Sequence, residues 1–231
     1  TGVSEFRKRF GIRVHSFYGQ TESGNAIARW DVQDDSRSCG RERPGFRVRI
    51  VDEHDYDVPV GAVGELLVRT EEPWIMPLGY FGRPAQTVEA WRNGWIHSGD
   101  AMRQDADGNF YFVDRVRDYI RRRGENISSF EVEGMVARHP GVAEAAAIAV
   151  PSEHGEDEVK IVVVRKPDQQ FDAMELVRFL IPQMPRFMVP RYVEFVTELP
   201  RTVASRQVRK VELRANALNT NTWDREAAGL E

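Results

Sequence analysis

The feature that most restricts the fold is a change of hydrophobic rhythm near Arg117. From 40 to 113 the apolar residues come in short runs, 48–51, 64–69 and 109–113, separated by clusters of Pro, Gly and Asp. That is the pattern of antiparallel strands joined by tight connections. One helix interrupts it, opening at Pro84, which has no N–H to lose in a first turn, and carrying Val88 and Trp91 at helical spacing. Asp107-Gly108 predicts a hairpin turn.

Beyond Asp114, helices and strands alternate. Ser128 with Glu131 predicts a capping box before a helix whose Val132, Met135, Val136 and His139 share a face. Runs 143–150 and 159–165 read as buried strands, joined into a hairpin by the acidic turn 152–158. Asp172 with Glu175 opens a second helix that turns Leu176, Phe179 and Leu180 inward and ends before Pro182 and Pro185. A strand follows over 191–196. A last helix is expected from Ser205, carrying Val208, Val211 and Leu213, and the polar tail from Asn216 has little to pack.

The expected fold class is α/β and α+β. Residues 1–116 form the end of a large α/β domain, with strand and loop over 11–39 and a barrel-like antiparallel subdomain over 40–113. Residues 117–231 form a small, mobile α+β domain. No flexible composition marks the break, so a hinge is expected there rather than a long linker. The segment 4–10 reads as the end of an amphipathic helix feeding a strand over 13–17, which points to a piece of a longer chain.

A chain of 231 residues with 41% hydrophobic and 29% charged content can bury a core. Against 36 acidic residues stand 32 basic ones, a net charge of -4 that supplies no surplus for nucleic acid or a membrane surface. The single cysteine, Cys39, removes a disulfide framework and a cysteine-rich metal site. No apolar run approaches the roughly 20 residues of a membrane span, so a cytoplasmic location is expected.

Three segments carry chemistry. In Tyr18-Gly19-Gln20-Thr21-Glu22-Ser23-Gly24 the glycines permit close backbone approach, the Thr21 hydroxyl can bond a phosphate oxygen, and Glu22 offers the hard oxygen that Mg²⁺ prefers beside phosphate. Taken alone, such a motif is more often an ordinary turn. In Gly94-Trp95-Ile96-His97-Ser98-Gly99-Asp100 the Asp100 carboxylate can accept from two vicinal hydroxyls, as a ribose grip requires, although a lone Asp is usually a turn former. His97 reads as structural, because no carboxylate or nucleophile stands at informative spacing. The arginine-rich run 115–123 is interspersed with Asp114 and Asp118 and followed by Glu125. It suits nucleotide or coenzyme phosphates better than a nucleic-acid stripe.

In order and spacing these segments resemble the adenylate-forming superfamily of acyl-CoA synthetases, firefly luciferase and peptide-synthetase adenylation domains. The family's Tyr-Gly-x-Thr-Glu falls on 18–22, and its Gly-Glu-Leu on Gly64-Glu65-Leu66. Its Gly-Tyr, helix and Gly-Trp-x-His-x-Gly-Asp run from Gly79-Tyr80 to Asp100. Its Asp-Arg-x-Lys-Asp-x-Ile falls on 114–120 with Arg117 at the lysine, and its Gly-x-Asn-Ile-x-x-x-Glu-Val-Glu on 124–133.

The resemblance implies an acyl-adenylate formed from a carboxylic acid and ATP, then a swing of the small domain that lets a thiol, commonly coenzyme A, reach it. By the same token Tyr18 and Gly19 lie along the adenine, Thr21 meets the α-phosphate, Glu22 helps hold Mg²⁺, and Asp100 and Arg115 bind the ribose. Arg117 sits at the hinge, and Gly124 lines the pantetheine passage. The family's Pro-(Lys/Arg)-Thr-x-(Thr/Ser)-Gly-Lys falls on 200–206, placing Arg206 at the adenylation lysine and Ser205 at the glycine. Arg keeps the charge but changes the donor geometry. Arg209 and Lys210, one turn on, read chiefly as solvated helix charges. The family's phosphate loop precedes Tyr18 and is not among these residues. The expected function is therefore a fragment of a carboxylate–CoA ligase for a small or medium acid, whose catalysis alone is in doubt. The alternatives are a noncatalytic AMP- or CoA-binding module and an adenylation domain of another ligase type.

Overall fold

The computed structural model describes residues 3–30, 37–152, 155–203 and 206–230. They form two compact units, Thr1–Val116 and Arg117–Glu231.

In the first unit, helix α1 (Val3–Phe10) precedes a hairpin of β1 (Ser16–Gln20) and β2 (Gly24–Arg29), with β3 (Arg41–Glu42) paired on the far side of β2. The strand expected over 13–17 lies later. Tyr18, Gly19 and Gln20 belong to the strand itself, because Tyr18 and Gln20 pair with Ile27 and Gly24. Next come β4 (Phe46–Val51), β5 (Val63–Thr70), helix α2 (Pro84–Ala90), β6 (Ile96–Gln104) and β7 (Phe110–Arg115). These four strands pair antiparallel in chain order. Such an order leaves β4 and β7 as edges, so among the described residues the subdomain is an open sheet, not a closed barrel. Its core joins Ala26 and Ile27 of β2 to Phe46, Ile50, Leu66, Val68, Met102 and Phe110. Trp91 caps α2 instead of extending it. The Asp107-Gly108 turn lies within a five-residue loop between β6 and β7. The Asp105 carboxylate there accepts the N–H groups of Asp107 and Asn109 at 3.0 and 2.8 Å.

The second unit opens with a short hairpin, β8 (Ile120–Arg122) and β9 (Glu125–Ile127). Its two turn residues, Arg123 and Gly124, take positive φ of 54° and 77°, as a two-residue turn of this hand demands. Then follow α3 (Ser129–Val136), β10 (Val142–Pro151), β11 (Asp157–Arg165), α4 (Ala173–Leu180), β12 (Tyr192–Val196), α5 (Lys210–Ala215) and β13 (Trp223–Asp224). The sheet order is β10-β11-β12-β13, with only β11 and β12 parallel. A parallel pair needs a long crossover, and α4 lies in it.

Strand alternation divides β11 between two cores. Val159, Ile161 and Val163 join Val132 and Val136 of α3 and Leu176, Val177 and Leu180 of α4, whereas Val162 joins Ala146 and Leu199, with Val208 and Leu213 against them. The helix starts follow from their caps. Ser128 Oγ accepts the Glu131 N–H at 3.2 Å, and Asp172 and Glu175 exchange both bonds of a capping box. His139 lies beyond α3, its ring 4.3 Å from Phe171 and 4.9 Å from Phe179.

Two expectations need correction. The last helix starts at Lys210, because the preceding loop closes on itself: the Thr202 N–H reaches the Gln207 carbonyl at 2.9 Å and the Arg209 N–H reaches that of Pro200 at 2.8 Å. Ser205 lies outside the described residues. The tail is also packed. Trp223 and Asp224 pair with β12, and Arg225 is only 5% exposed. Lys160, wholly buried on β11, sends its Nζ to Glu194 Oε2 at 2.5 Å, the Ala217 carbonyl at 2.6 Å and Thr222 Oγ1 at 3.2 Å.

Candidate nucleotide site

Asp100 stands on β6 with Arg115 opposite it on β7, and it is 2% exposed. Arg115 Nη1 lies 2.8 Å from its Oδ1. Alternation along β1 turns Tyr18 and Gln20 the same way. The Tyr18 hydroxyl donates to Asp100 Oδ2 at 2.6 Å. Gln20 Nε2 donates to the same oxygen at 2.9 Å and to the Ser98 carbonyl at 2.8 Å. A carboxylate offers about four lone-pair sites, so these donors orient Asp100 without saturating it.

The electrostatics oppose one another. Burial pushes the Asp100 carboxyl above the usual range, while the Tyr18 hydrogen bond and the Arg115 charge pull it down. Burial, then the neighbouring Asp100 charge, raises the Tyr18 phenol, which keeps it a donor.

Thr21 is exposed at the tip of the β1–β2 hairpin. Beside it, Glu22 Oε1 accepts from the Tyr80 hydroxyl at 2.8 Å. The Tyr80 phenol is pushed up to about 12, by burial first and then by the Glu22 hydrogen bond and charge. Gly19 is a requirement of close approach, since a Cβ there would lie 2.1 Å from the Gly24 carbonyl oxygen.

His97 is buried against Glu65, with Nδ1 3.0 Å from Oε2 and Nε2 3.7 Å from Asp55 Oδ2. Glu65 also accepts from the Gly99 N–H at 2.9 Å and pairs with Arg92 at 3.3 Å. A carboxylate partner for His97 therefore exists, far away in sequence.

Tyr18, Asp100 and Arg115 thus meet in the first unit, joined by Gln20, which the motif contains without assigning it a role. The remaining candidates belong to the second unit. Arg117 is exposed in a single turn, Val116–Asp118. At Gly124 an added Cβ would meet nothing within 4 Å, so glycine there answers its φ of 77°. Glu156 accepts the N–H groups of both Arg123 and Gly124. Arg206 is exposed with φ 54°, and its carbonyl accepts from Arg201 Nη1 at 2.6 Å. Arg201 in turn pairs with Glu144 at 2.6 Å.

The solvated reading holds for Arg209, exposed beside an equally exposed Glu212, and fails for Lys210, which binds Glu133 at 2.7 Å and Ser129 Oγ at 2.6 Å.

Among the described residues no three His, Cys, Asp or Glu side chains group as a metal cage, and no helix is long and apolar enough to cross a membrane.

Residues 2–81 match the AMP-binding enzyme family, and 131–206 match the AMP-binding enzyme C-terminal domain. A long-chain-fatty-acid–CoA ligase of Escherichia coli O6:H1 is 40% identical over 202 residues, covering 87% of this chain and 35% of the relative. A fatty acid–[acyl-carrier-protein] ligase of Streptomyces coeruleorubidus is 36% identical, covering 85% and 38%. The chain therefore spans under two-fifths of the length of these two relatives. Among solved structures, an anthranilate CoA ligase in complex with anthranoyl-AMP superposes with a TM-score of 0.75 at 27% identity, covering 92% of this chain and 41% of that one. With both family matches on one chain, one on each side of the Arg117 boundary, the chain belongs to the adenylate-forming, AMP-binding enzymes that include the acyl-CoA synthetases.

Proposed function

We propose that this chain supplies the ribose-, Mg²⁺- and thiol-facing part of a ligase that activates a carboxylic acid with ATP and passes the acyl group to coenzyme A. The observation that carries the reading is the buried Asp100 carboxylate, held by Tyr18, Gln20 and Arg115 with acceptor capacity left for vicinal hydroxyls. In the first half-reaction a carboxylate oxygen attacks the α-phosphorus and pyrophosphate leaves. Asp100 and Arg115 fix the ribose, Tyr18 flanks the adenine beside Gly19, and the exposed Thr21 hydroxyl donates to the α-phosphate. In the second, the thiol sulfur attacks the acyl carbonyl and AMP leaves.

Glu22 fits Mg²⁺ as a single carboxylate ligand, because this ion commonly takes one or two carboxylates and completes its shell with phosphate and water. When bound, the ion neutralises phosphate charge. Arg206 supplies positive charge in place of the family lysine, Arg117 acts at the hinge between the two half-reactions, and Gly124 borders the thiol's path.

A second acceptor, an acyl carrier protein thiol, is favoured by the likeness to the Streptomyces ligase.

Calorimetric titration with AMP tests the reading. Binding that Asp100→Ala weakens about 10- to 100-fold is expected, the loss of a hydrogen-bonded charge. Absence of AMP binding, or binding indifferent to Asp100→Ala, overturns it.

A further inference from the structure

The Gly64-Glu65-Leu66 run on β5 has no part in the proposed function, yet its glutamate lies against the strand that carries Asp100. Between the pairs Leu67–His97 and Glu65–Ala101, three residues of β6, Ser98, Gly99 and Asp100, stand against one of β5, Leu66. Extra residues on one strand bulge it and re-aim its side chains. Gly99 takes φ 67° in this bulge, and a backbone N–H outside the regular ladder needs another acceptor.

Glu65 is that acceptor. Its Oε1 takes the Gly99 N–H at 2.9 Å, and an ionised acceptor makes such a bond about twice as strong as a neutral one. Its Oε2 is held in turn, 3.0 Å from His97 Nδ1 and 3.3 Å from Arg92 Nη2. The side chains of His97 and Glu65 are 3% and 15% exposed, so water competes little for these bonds. The rest of the bulge faces the nucleotide site. The Ser98 carbonyl accepts from Gln20 Nε2 at 2.8 Å, Ser98 Oγ accepts the Asp100 N–H at 3.1 Å, and the Asp100 carboxylate meets Tyr18 and Arg115. Hydrogen bonds of this length are lost on a displacement of about 1 Å. A bulge freed from Glu65 therefore releases Asp100 and the anchor of Gln20 together.

We propose that Glu65 is a positioning residue for the nucleotide: it fixes the Ser98-Gly99 bulge so that Asp100 presents its carboxylate to the ribose. The inference rests on the ribose reading of Asp100 and adds to it a residue that touches no substrate.

Two variants of the 231-residue chain separate this role from a general loss of stability. Glu65→Met removes both acceptors at similar volume. Glu65→Gln keeps an amide oxygen for the Gly99 N–H. Each is titrated with AMP, and the Gln20 side-chain amide signals are followed by NMR without ligand. Glu65→Met is expected to weaken AMP binding about tenfold and to move the Gln20 signals to the positions of a solvated amide, while Glu65→Gln stays close to the parent in both. If Glu65→Met does not fold, Glu65→Asp, one methylene short of Gly99, takes its place with the same expectations. Unmoved Gln20 signals in the folded variant overturn the proposal, as do AMP binding equal to the parent's and a loss in Glu65→Gln as large as in Glu65→Met. A parent that binds no AMP sinks the ribose reading instead. The Gln20 signals then decide alone whether Glu65 holds the bulge.

Discussion

A buried carboxylate held by three donors, as Asp100 is by Tyr18, Gln20 and Arg115, carries a cost that a ligand can exploit. Burial raises the Asp100 carboxyl in the folded chain, so the folded state holds that proton more firmly than the unfolded state. Its contribution to stability is present at low pH and lost as pH rises through the folded value. At neutral pH the ionised form is tolerated for function, and Asp100→Asn is expected to leave the thermal midpoint unchanged or higher while AMP binding falls, as differential scanning fluorimetry and titration would show. Asp105 has the opposite sign. The Asn109 side chain, then its N–H, hold Asp105 from 3.8 down to about 2. Its stabilisation is present above the ordinary carboxylate range and lost as pH falls through about 2. A carboxyl NMR titration should find that midpoint, and Asn109→Ala should move it back up. Asp100 and Tyr18 were legible because their motifs name them. Gln20 with Asp100 and Glu65 with His97 were not, since pairs 80 and 32 residues apart become neighbours only once strand order is known.

Local rules decided the elements wherever a cap or an alternation was strong. Asp172 with Glu175, and the paired runs that became β10 and β11, were readable because each signal lies within a few residues. Asp172→Ala is expected to cost about 1 kcal/mol in a denaturant melt. The late start of α5 was hidden because its apolar residues follow a loop that closes by backbone bonds, which periodicity does not register. Lys160 was equally hidden. An alternating strand is expected to bury Val, and a lysine at such a position is read as a solvated edge. Lys160→Met should destabilise by about 3 kcal/mol, because Glu194 loses its cation in a half-buried place. The double variant with Glu194→Leu should recover much of that, since an apolar pair replaces a buried ionic one.

For the whole molecule, the change of rhythm at Arg117 was the most informative line in the sequence, and the boundary between the two compact units falls there along the chain. Every residue of the two cores in the second unit comes from beyond that point. Residues 117–231 are therefore expected to fold without the first unit, which dispersed amide NMR signals and a cooperative melt would establish; a collapsed, non-cooperative species would count against it. The open sheet departs from the barrel-like expectation because hairpin signals report neighbouring strands and say nothing about whether the ends meet. The Lys160 latch adds an ordering in time. During synthesis Lys160 is added 57 residues before Ala217, whose carbonyl receives the buried ammonium. The buried ammonium therefore gains its full set of partners only once the polar tail has emerged, whereas the first unit has all its strands in hand long before.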